Sequence, residues 1–248
     1  MTAPYYDADG VTIYCADALD VLPGLCGVGI VVTDPPYSSG GAFRGDRVRG
    51  VVAKYVNTGT LAYRPDFAGD TRDQRSYLAW CALWLNACRQ ASVSGAPVAV
   101  FTDWRQLPTT TDAVQAGGWT WRGIAVWEKG FGRPNPSGFS NAAEYVVWGS
   151  NGPAHEREDY PAGMFECPPP RGDAKVHVAE KPEPVMRWLL RLAPSGALVL
   201  DPFMGSGTTL RAAKDLGLPA IGIDADERYC EIAAKRLAQG VLDLGASA

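Results

Sequence analysis

Long apolar runs are missing from this sequence of 248 residues. No stretch approaches the roughly 18–20 consecutive apolar residues that a membrane-spanning helix needs. The first ten residues, MTAPYYDADG, contain neither a basic start nor an apolar segment, so we expect no secretory signal peptide. These absences argue against a membrane protein and against a secreted one.

Metal-ligand clusters are missing as well. The chain has only two histidines, and its six cysteines are scattered without a C-x-x-C pair. A structural zinc site needs closely spaced Cys and His ligands, so we predict no metal centre. The isolated cysteines are typical of small apolar side chains buried in a protein of a reducing compartment.

Positive charge is absent from the start of the chain and concentrated soon afterwards. The net charge of the chain is −4. Residues 38–75 contain seven Lys and Arg residues and four acidic residues, whereas residues 1–37 contain five acidic residues and no Lys or Arg. A local basic stretch on a mildly acidic protein is compatible with contacts to nucleic-acid phosphates. The alternative is an ordinary solvated loop, and composition alone does not separate the two.

Strand-like runs alternate with segments of helical periodicity along most of the chain. Residues 28–32, VGIVV, are typical of a strand buried on both faces of a parallel sheet, and residues 182–193 of an amphipathic helix. This alternation predicts one α/β domain with a doubly wound, mostly parallel sheet. We expect residues 38–72 to form a loop insertion and residues 151–180 to be irregular. Most of the eight tryptophans fall at core spacing.

The motif TDPPY, residues 33–37, follows the VGIVV strand directly. The first proline restricts the backbone of Asp34, the second restricts Pro35, and neither proline offers an N–H group. We therefore predict a stiff corner that holds one carboxylate and one aromatic ring in a fixed relation.

A second motif, LVLDPFMGSGTT, occupies residues 198–209. Its strand ends in Asp201, and Gly205 and Gly207 allow a ligand to approach the backbone at the start of a helix. The next strand ends in Asp224, the position at which α/β cofactor sites bind ribose hydroxyls. A dinucleotide site is disfavoured because Leu210 leaves the pattern G-x-G-x-x-G incomplete.

DPPY together with DPFMGSGTT resembles the S-adenosylmethionine-dependent amino-methyltransferases of DNA, which modify adenine N6 or cytosine N4. HVAEKP (177–182), GFSNAAEYVVW (138–148) and IGIDADERYCEIAAKRL also resemble segments of that family. The resemblance implies a seven-stranded Rossmann-like methyltransferase sheet. The catalytic motif precedes the cofactor motif, as in the family's β group, which implies a circular permutation with both motifs at the carboxyl edge of the sheet. It also implies a cytoplasmic enzyme of bacterial or phage origin that acts on double-stranded DNA, and relatives of this group are often homodimers.

By this resemblance the catalytic residues are Asp34, Pro35, Pro36 and Tyr37. The Asp34 carboxylate and the Pro35 carbonyl would accept hydrogen bonds from the N–H groups of an amine on a flipped-out base. Tyr37 would stack on that base. Asp in the first position favours adenine N6, since relatives that act on cytosine N4 more often have Ser there. The alternatives are cytosine N4, RNA, a protein amide, and a DNA-binding module without catalysis.

The resemblance also implies the residues that hold S-adenosylmethionine. They are Asp17, Ala18, Asp201, Phe203, Gly205, Ser206, Gly207, Thr208, Asp224 and Lys181. Asp17 could cap a helix, in place of the cofactor contact or together with it. Lys181 would lie near the cofactor or the catalytic loop, and a surface lysine is the alternative. His177, Asn141 and Glu144 match family patterns too, and for the last two a hydrogen bond that supports the fold is the expected role.

Contacts to DNA are the least specified part of the prediction. The basic segment supplies candidates for phosphate contacts, namely Arg44, Arg47, Arg49 and Lys54. A short target-recognition region is expected within residues 150–176, so the basic segment would share the recognition of DNA.

Overall fold

The computed structural model describes residues 2–37, 72–133, 138–156, 159–168 and 181–239. In these ranges nine strands form one mixed sheet in the order β1-β2-β9-β8-β3-β4-β6-β5-β7. The strands are β1 (Tyr6–Ala8), β2 (Val11–Cys15), β3 (Val28–Thr33), β4 (Pro97–Thr102), β5 (Thr120–Arg133), β6 (Asn141–Ser150), β7 (Met164–Glu166), β8 (Leu198–Asp201) and β9 (Ala220–Asp224). The helices are α1 (Ala18–Val21), α2 (Gln74–Ala91), α3 (Leu107–Ala116), α4 (Glu183–Leu190), α5 (Thr208–Asp215) and α6 (Glu227–Ala238), and residues Leu22–Gly24 form a 3₁₀ turn after α1.

Helices cover both faces of the sheet. Successive side chains of a strand point to opposite faces, and β3 shows this directly. Ile30 and Val32 pack in the core beneath α4, α5 and α6, whereas Val31 packs beneath α1, α2 and α3. Every residue of β3 and β4 is buried, as expected for central strands of a doubly wound sheet.

Acidic side chains begin three of the helices. The carboxylates of Asp17, Asp73 and Asp226 accept hydrogen bonds from free backbone N–H groups at the first turns of α1, α2 and α6. Such caps stabilise a helix start because those N–H groups have no partner within the helix. The predicted start of a helix at Asp73 is confirmed.

The sheet has nine strands in the described ranges, so the prediction of seven was wrong. The seven predicted strands are all present, and the two additional ones, β1 and β7, contain three residues each. They lie at the two opposite edges of the sheet, where β1 pairs with β2 and β7 with β5. A three-residue strand is too short for its alternation to stand out in a sequence. Strand β7 also lies within the segment that was predicted to be irregular.

Five neighbouring strands run parallel and therefore end at the same edge of the sheet. They are β2, β9, β8, β3 and β4. Each has an aspartate at its carboxyl end or within two residues of it, and these are Asp17, Asp224, Asp201, Asp34 and Asp103. Strand β6 is antiparallel to β4, so its first residues reach that same edge. The carboxyl edge is thus where charged side chains from six strands converge.

The segment 38–72, predicted as a loop insertion, lies outside the described residues except for Arg72. Part of the predicted recognition region is described, and it joins the sheet. The Trp127 indole donates to the Cys167 carbonyl at 2.7 Å, and the Phe165 ring stacks on Trp188 of α4. None of the described helices is long and apolar enough to cross a membrane.

Candidate active site

The two sequence motifs meet at the carboxyl edge of the sheet, as predicted. Strands β3 and β8 are parallel neighbours, so the residues that follow them lie side by side. The Thr33 hydroxyl donates to Asp201 Oδ1 at 2.7 Å, and both side chains are buried. A hydrogen bond therefore joins the strand that carries the DPPY motif to the strand that carries the glycine turn.

Asp201 is buried and forms hydrogen bonds that hold the glycine turn in place. It is 2% exposed, and besides Thr33 it accepts from the Phe203 backbone N–H at 3.1 Å. Burial raises the pKa of Asp201 to about 6. The resemblance placed Asp201 among the residues that hold the cofactor, whereas its described contacts hold the turn together.

The turn requires glycine at two positions. Gly205 has a φ of +51° with open space around its missing side chain, which suits close approach of a ligand. Gly207 begins α5 with a φ of +79°, and a Cβ there would lie 2.8 Å from the Cβ of Ala233 in α6. The first glycine leaves room for a bound molecule, and the second allows α6 to pack against the helix start.

Asp224 is the second acid of the cofactor motif. It lies at the end of β9, where its carboxylate accepts from the backbone N–H groups of Gly205 at 3.0 Å and Asp226 at 2.9 Å. Burial raises the pKa of Asp224 to about 6. Each carboxylate oxygen has a further acceptor site, so the position can also receive the two hydroxyls of a ribose.

The polar residues of the helix start face α6. Ser206 and Thr208, predicted as cofactor contacts, both receive hydrogen bonds from the Arg236 guanidinium, at 3.3 and 3.0 Å on their hydroxyl oxygens. Their described contacts therefore support the turn.

The Phe203 ring packs against α2. Its centroid lies 5.2 Å from that of Trp80 and 5.1 Å from that of Trp84. This aromatic packing fixes the first part of the glycine turn against the helix layer.

Asp17 caps α1, which was the alternative interpretation of this residue. Its carboxylate accepts from the Leu19 backbone N–H at 2.9 Å, and it is exposed at the end of β2. Ala18 is buried as the first residue of that helix. Strand β2 pairs with β9 such that Cys15 lies opposite Asp224. Asp17 and Ala18 are thus placed at the same edge, one strand beyond the second acid of the cofactor motif.

The DPPY corner presents Asp34 with both carboxylate oxygens engaged. The Tyr37 hydroxyl donates to Oδ1, and the Lys181 ammonium lies 2.5 Å from Oδ2. Pro35 is buried and Pro36 half-buried, so the corner is held by packing as well as by its restricted backbone. The predicted fixed relation between the acid and the ring is present.

Lys181 is buried at the centre of a charged network. It is 7% exposed, and its Nζ lies 3.3 Å from Glu144 Oε2 in addition to its contact with Asp34. Glu144 Oε1 in turn accepts from Lys129 Nζ at 3.3 Å. Lys181 thus contacts the Asp34 carboxylate directly, and the alternative interpretation of it as a surface lysine is wrong.

The pKa values in this network follow from burial and from the alternation of charge. Burial raises the pKa of Asp34, and the Lys181 ammonium opposes that rise. Burial alone would lower the pKa of Lys181, but Asp34 and Glu144 raise it above its ordinary value. Burial likewise acts to raise the pKa of Glu144, yet the two lysines bring it below the ordinary value. Burial, with the charge of Asp34, holds the pKa of Tyr37 well above its usual range.

Sequence reasoning did not find the roles of Glu144 and Lys129. Glu144 was expected to support the fold by a hydrogen bond, and Lys129 was not singled out. The signals were the match of Glu144 to a family pattern and the charges of the strand pair β5–β6, whose position at the site depends on the antiparallel pairing of β6 with β4. The predicted DNA contacts Arg44, Arg47, Arg49 and Lys54 lie outside the described residues, as does His177. The described residues contain no group of three potential metal ligands.

A glycine turn between two acid-ended parallel strands, beside a half-buried carboxylate at the end of the next strand, defines an α/β enzyme with a nucleotide-type cofactor site. The sequence profile of the DNA methylase family N6_N4_Mtase matches residues 28–235. The chain therefore belongs to the N6/N4 DNA methylase family.

Curated relatives are Type II methyltransferases. M.ScaI of Streptomyces caespitosus is 23% identical over 94% of this chain and 83% of its own length. M.HinfI of Haemophilus influenzae is 26% identical over 90% of this chain and 66% of its own length.

Solved structures share the fold. The complex of M1.HpyAVI with S-adenosylmethionine superposes with a TM-score of 0.66 at 22% identity, covering 92% of this chain and 100% of that one. The cytosine-N4-specific PvuII DNA methyltransferase superposes with a TM-score of 0.72 at 16% identity, covering 97% and 91%. At these identities the similarity establishes a methyltransferase-like α/β fold.

Proposed function

We propose that this chain is a site-specific DNA methyltransferase that transfers a methyl group to the exocyclic N6 of an adenine flipped out of double-stranded DNA. The observation that carries the proposal is the adjacency of Asp34 and the glycine turn. They follow neighbouring parallel strands that Thr33 and Asp201 join by a buried hydrogen bond. A hydrogen-bond acceptor for the target amine and a binding site for the methyl donor would thus lie at the same edge of the sheet.

The cofactor is S-adenosylmethionine, and the residues of the edge fit it. Gly205 leaves open space above the turn, and Asp224 retains acceptor capacity for ribose hydroxyls. Asp17 and Ala18 lie one strand further along the edge, where they would meet the adenine of the cofactor. When bound, the cofactor would supply an electrophilic methyl group on its sulfonium sulfur: the amine nitrogen would form a bond to the methyl carbon, and the electrons of the broken carbon–sulfur bond would stay on sulfur.

The residues of the DPPY corner orient the target amine. An exocyclic amine is a poor nucleophile because its lone pair is delocalised into the ring. The Asp34 carboxylate and the Pro35 carbonyl each accept a hydrogen bond from one N–H group of the amine and draw its nitrogen towards a tetrahedral geometry. Positive charge then develops on nitrogen beside the Asp34 carboxylate, which stabilises it and is the adjacent acceptor for the proton released after transfer. Tyr37, fixed through its hydroxyl to Asp34, offers its ring to the flipped base.

Cytosine N4 is the second candidate target. The PvuII enzyme, which is cytosine-N4-specific, superposes with the higher TM-score of the two structures compared above. Aspartate at position 34 supports adenine, since serine is the residue that the resemblance associates with cytosine. The geometry of the corner would serve either amine, because both are planar and carry two N–H bonds.

The remaining parts of the proposal concern the organisation of the protein. The order of the motifs supports a circularly permuted sheet of the β group in one domain. Residues 38–72 and 150–176 would share the recognition of DNA, with the basic segment on phosphates. The Type II methyltransferase relatives support a place in a restriction–modification system. A homodimer is the assembly that the resemblance implies.

The test is methyl transfer from labelled S-adenosylmethionine to unmethylated genomic DNA, followed by mass spectrometry of the nucleosides. N6-methyladenine is the expected product. N4-methylcytosine would keep the mechanism and overturn the adenine assignment. Label in RNA or protein fractions tested in parallel, with none in DNA, would overturn the substrate class. Cofactor binding without transfer to any fraction would indicate a DNA-binding module without catalysis.

A further inference from the structure

Both oxygens of the Asp34 carboxylate have a partner within the protein. Tyr37 donates to one oxygen and Lys181 contacts the other. Tyr37 belongs to the same short motif, but Lys181 lies 147 residues further along the chain. The contact with Lys181 is therefore made by the tertiary fold, just before the first turn of α4.

A buried ammonium group needs compensation for the water that it has lost. Lys181 receives it from two carboxylates, Asp34 and Glu144. Its Nζ also lies 5.3 Å from the ring centroid of Tyr37 and 5.2 Å from that of Phe101. These distances are within the range of a cation–π contact. The lysine is thus built into the site as a charged group.

A lysine paired with Asp34 alone would weaken methyl transfer. Its positive charge would cancel much of the attraction that Asp34 exerts on the cationic nitrogen. Glu144 is the second carboxylate that contacts the ammonium and offsets that charge, and Lys129 pairs with Glu144 in turn. The four charges alternate in sign and sum to zero.

We propose that Lys181 is a positioning residue for methyl transfer, which keeps Asp34 ionised and oriented while Glu144 balances the lysine charge. This role rests on the proposed function of Asp34. It differs from the expected role of Lys181 as a cofactor contact, and it places Glu144 in the electrostatics of the reaction.

Among the described residues, the charged and titratable groups around Asp34 come from its own corner and from the elements packed against it. They are Tyr37 of the same corner, Lys181 before α4, Glu144 of β6, which Lys129 of β5 contacts, and Asp201 of β8, while Asp103 after β4 interacts with Glu144. Lys181 is the one cation among them that directly contacts Asp34 in the described part of the chain. Its removal leaves Asp34 facing acids, so protonation of Asp34 should become easier. Removal of the Glu144 charge should have the opposite effect.

The experiment measures the titration of Asp34 directly. Protein labelled with ¹³C at aspartate side-chain carboxyls is titrated by NMR, and the Asp34 resonance is identified by its loss in Asp34→Asn. Lys181→Met should raise the midpoint by at least about one pH unit, and Glu144→Gln should lower it. Lys181→Arg, which keeps the charge, should remain near the wild-type value. The control is Lys235→Met, which removes an exposed lysine paired with Glu231 on α6 and should change nothing.

Kinetics supply the second measurement. The acid limb of kcat/KM should move in the same directions, so that Lys181→Met loses more activity below about pH 6 than near about pH 8, by up to about tenfold for each unit by which the midpoint rises. An unchanged Asp34 titration would overturn the proposal. A raised KM for S-adenosylmethionine with an unchanged pH profile would also overturn the proposal, because it would indicate that Lys181 contacts the cofactor. If Lys181→Met does not fold, Glu144→Gln and Lys181→Arg decide the question.

Failure of this proposal can be told apart from failure of the proposed function. The NMR titration needs no substrate, so it reports on Lys181 whichever base is methylated. Wild-type protein that produced no N6-methyladenine would overturn the adenine assignment and leave the titration result standing.

Discussion

The Thr33 hydroxyl and the Asp201 carboxylate, 2.7 Å apart and both buried, connect the strand of the DPPY corner to the strand of the glycine turn. Their residues are far apart in the sequence and adjacent only because β3 and β8 are parallel neighbours. The relative placement of the DPPY corner and the glycine turn depends on this connection.

Thr33→Val should therefore destabilise the protein and weaken cofactor binding. Valine keeps the shape of threonine but leaves Asp201 with one donor fewer in a buried position, which costs about 1–3 kcal/mol. Chemical denaturation measures the loss of stability, and calorimetry measures the affinity for S-adenosylmethionine. Thr12→Val is the matched control, because that hydroxyl donates to an exposed Asp7 and its loss should have little effect. Equal stability of the two variants would contradict the proposed importance of the Thr33 contact.

The affinity for S-adenosylmethionine should fall as the pH drops through about 6. Burial raises the pKa of Asp224 to about 6 in the free protein. Ribose hydroxyls favour its ionised form, so binding lowers this pKa and displaces a proton wherever the free carboxyl is protonated. Affinity is thus constant well above pH 6 and decreases below it.

Calorimetry between about pH 5 and about pH 8 tests this dependence, with S-adenosylhomocysteine as a second ligand. Asp224→Asn should bind at least about tenfold more weakly at the upper end and lose most of the pH dependence. If the variant keeps the wild-type profile, a different group titrates, and Asp201 is the first to consider because its pKa is also raised to about 6.

Gly207→Ala should damage the glycine turn more than an alanine at another left-handed glycine. Both Gly207 and Gly217 have positive φ values, of +79° and +69°. The left-handed backbone alone costs about 1–2 kcal/mol for alanine at either position. A Cβ at Gly207 would also lie 2.8 Å from the Cβ of Ala233, whereas at Gly217 nothing lies within 4 Å.

The two variants are compared by denaturation and by cofactor affinity. Gly217→Ala should lose only the stability that a left-handed backbone costs an alanine, and it should bind S-adenosylmethionine with the wild-type affinity. Gly207→Ala should lose more stability and bind the cofactor more weakly, because α5 must move away from α6. Equal losses in both variants would show that the contact with Ala233 does not matter.

Reversal of charge at Arg47 and Arg49 should weaken binding to DNA of any sequence. If both residues contact phosphates, the double variant to Glu should reduce the slope of log K against log salt by about 2. Fluorescence anisotropy with a DNA duplex across a salt series measures both quantities. Lys235→Glu is a control on the exposed face of α6. An unchanged affinity and salt slope would remove the basic segment from the DNA interface.

Much of the fold follows from the sequence because its signals are local. The buried strand β3, the helix that begins after Asp73 and the strand that ends in Asp224 each have a clear pattern of apolar residues or caps. The meeting of the two motifs is predictable too, since carboxyl ends of parallel strands share an edge. Strands β1 and β7 could not be predicted, because three residues at the edge of a sheet carry no periodicity.

The site was predictable only where its residues adjoin a motif. The DPPY corner and the glycine turn are continuous in sequence, and their internal contacts follow from restricted backbones and glycines. The network of Lys181, Glu144 and Lys129 combines three separate segments. Its geometry depends on the register of an antiparallel strand against β4, which no local pattern specifies.

The most direct test of the account compares wild-type protein with Asp34→Ala in two assays, methyl transfer to DNA and binding of S-adenosylmethionine. The account predicts that turnover falls by at least about 10²–10³-fold, because the acceptor and the stabilising charge are lost together. Cofactor affinity should stay within about threefold of wild type, since Asp34 lies beside the glycine turn and not within it. A variant that still methylated DNA at the wild-type rate would contradict the central role of Asp34.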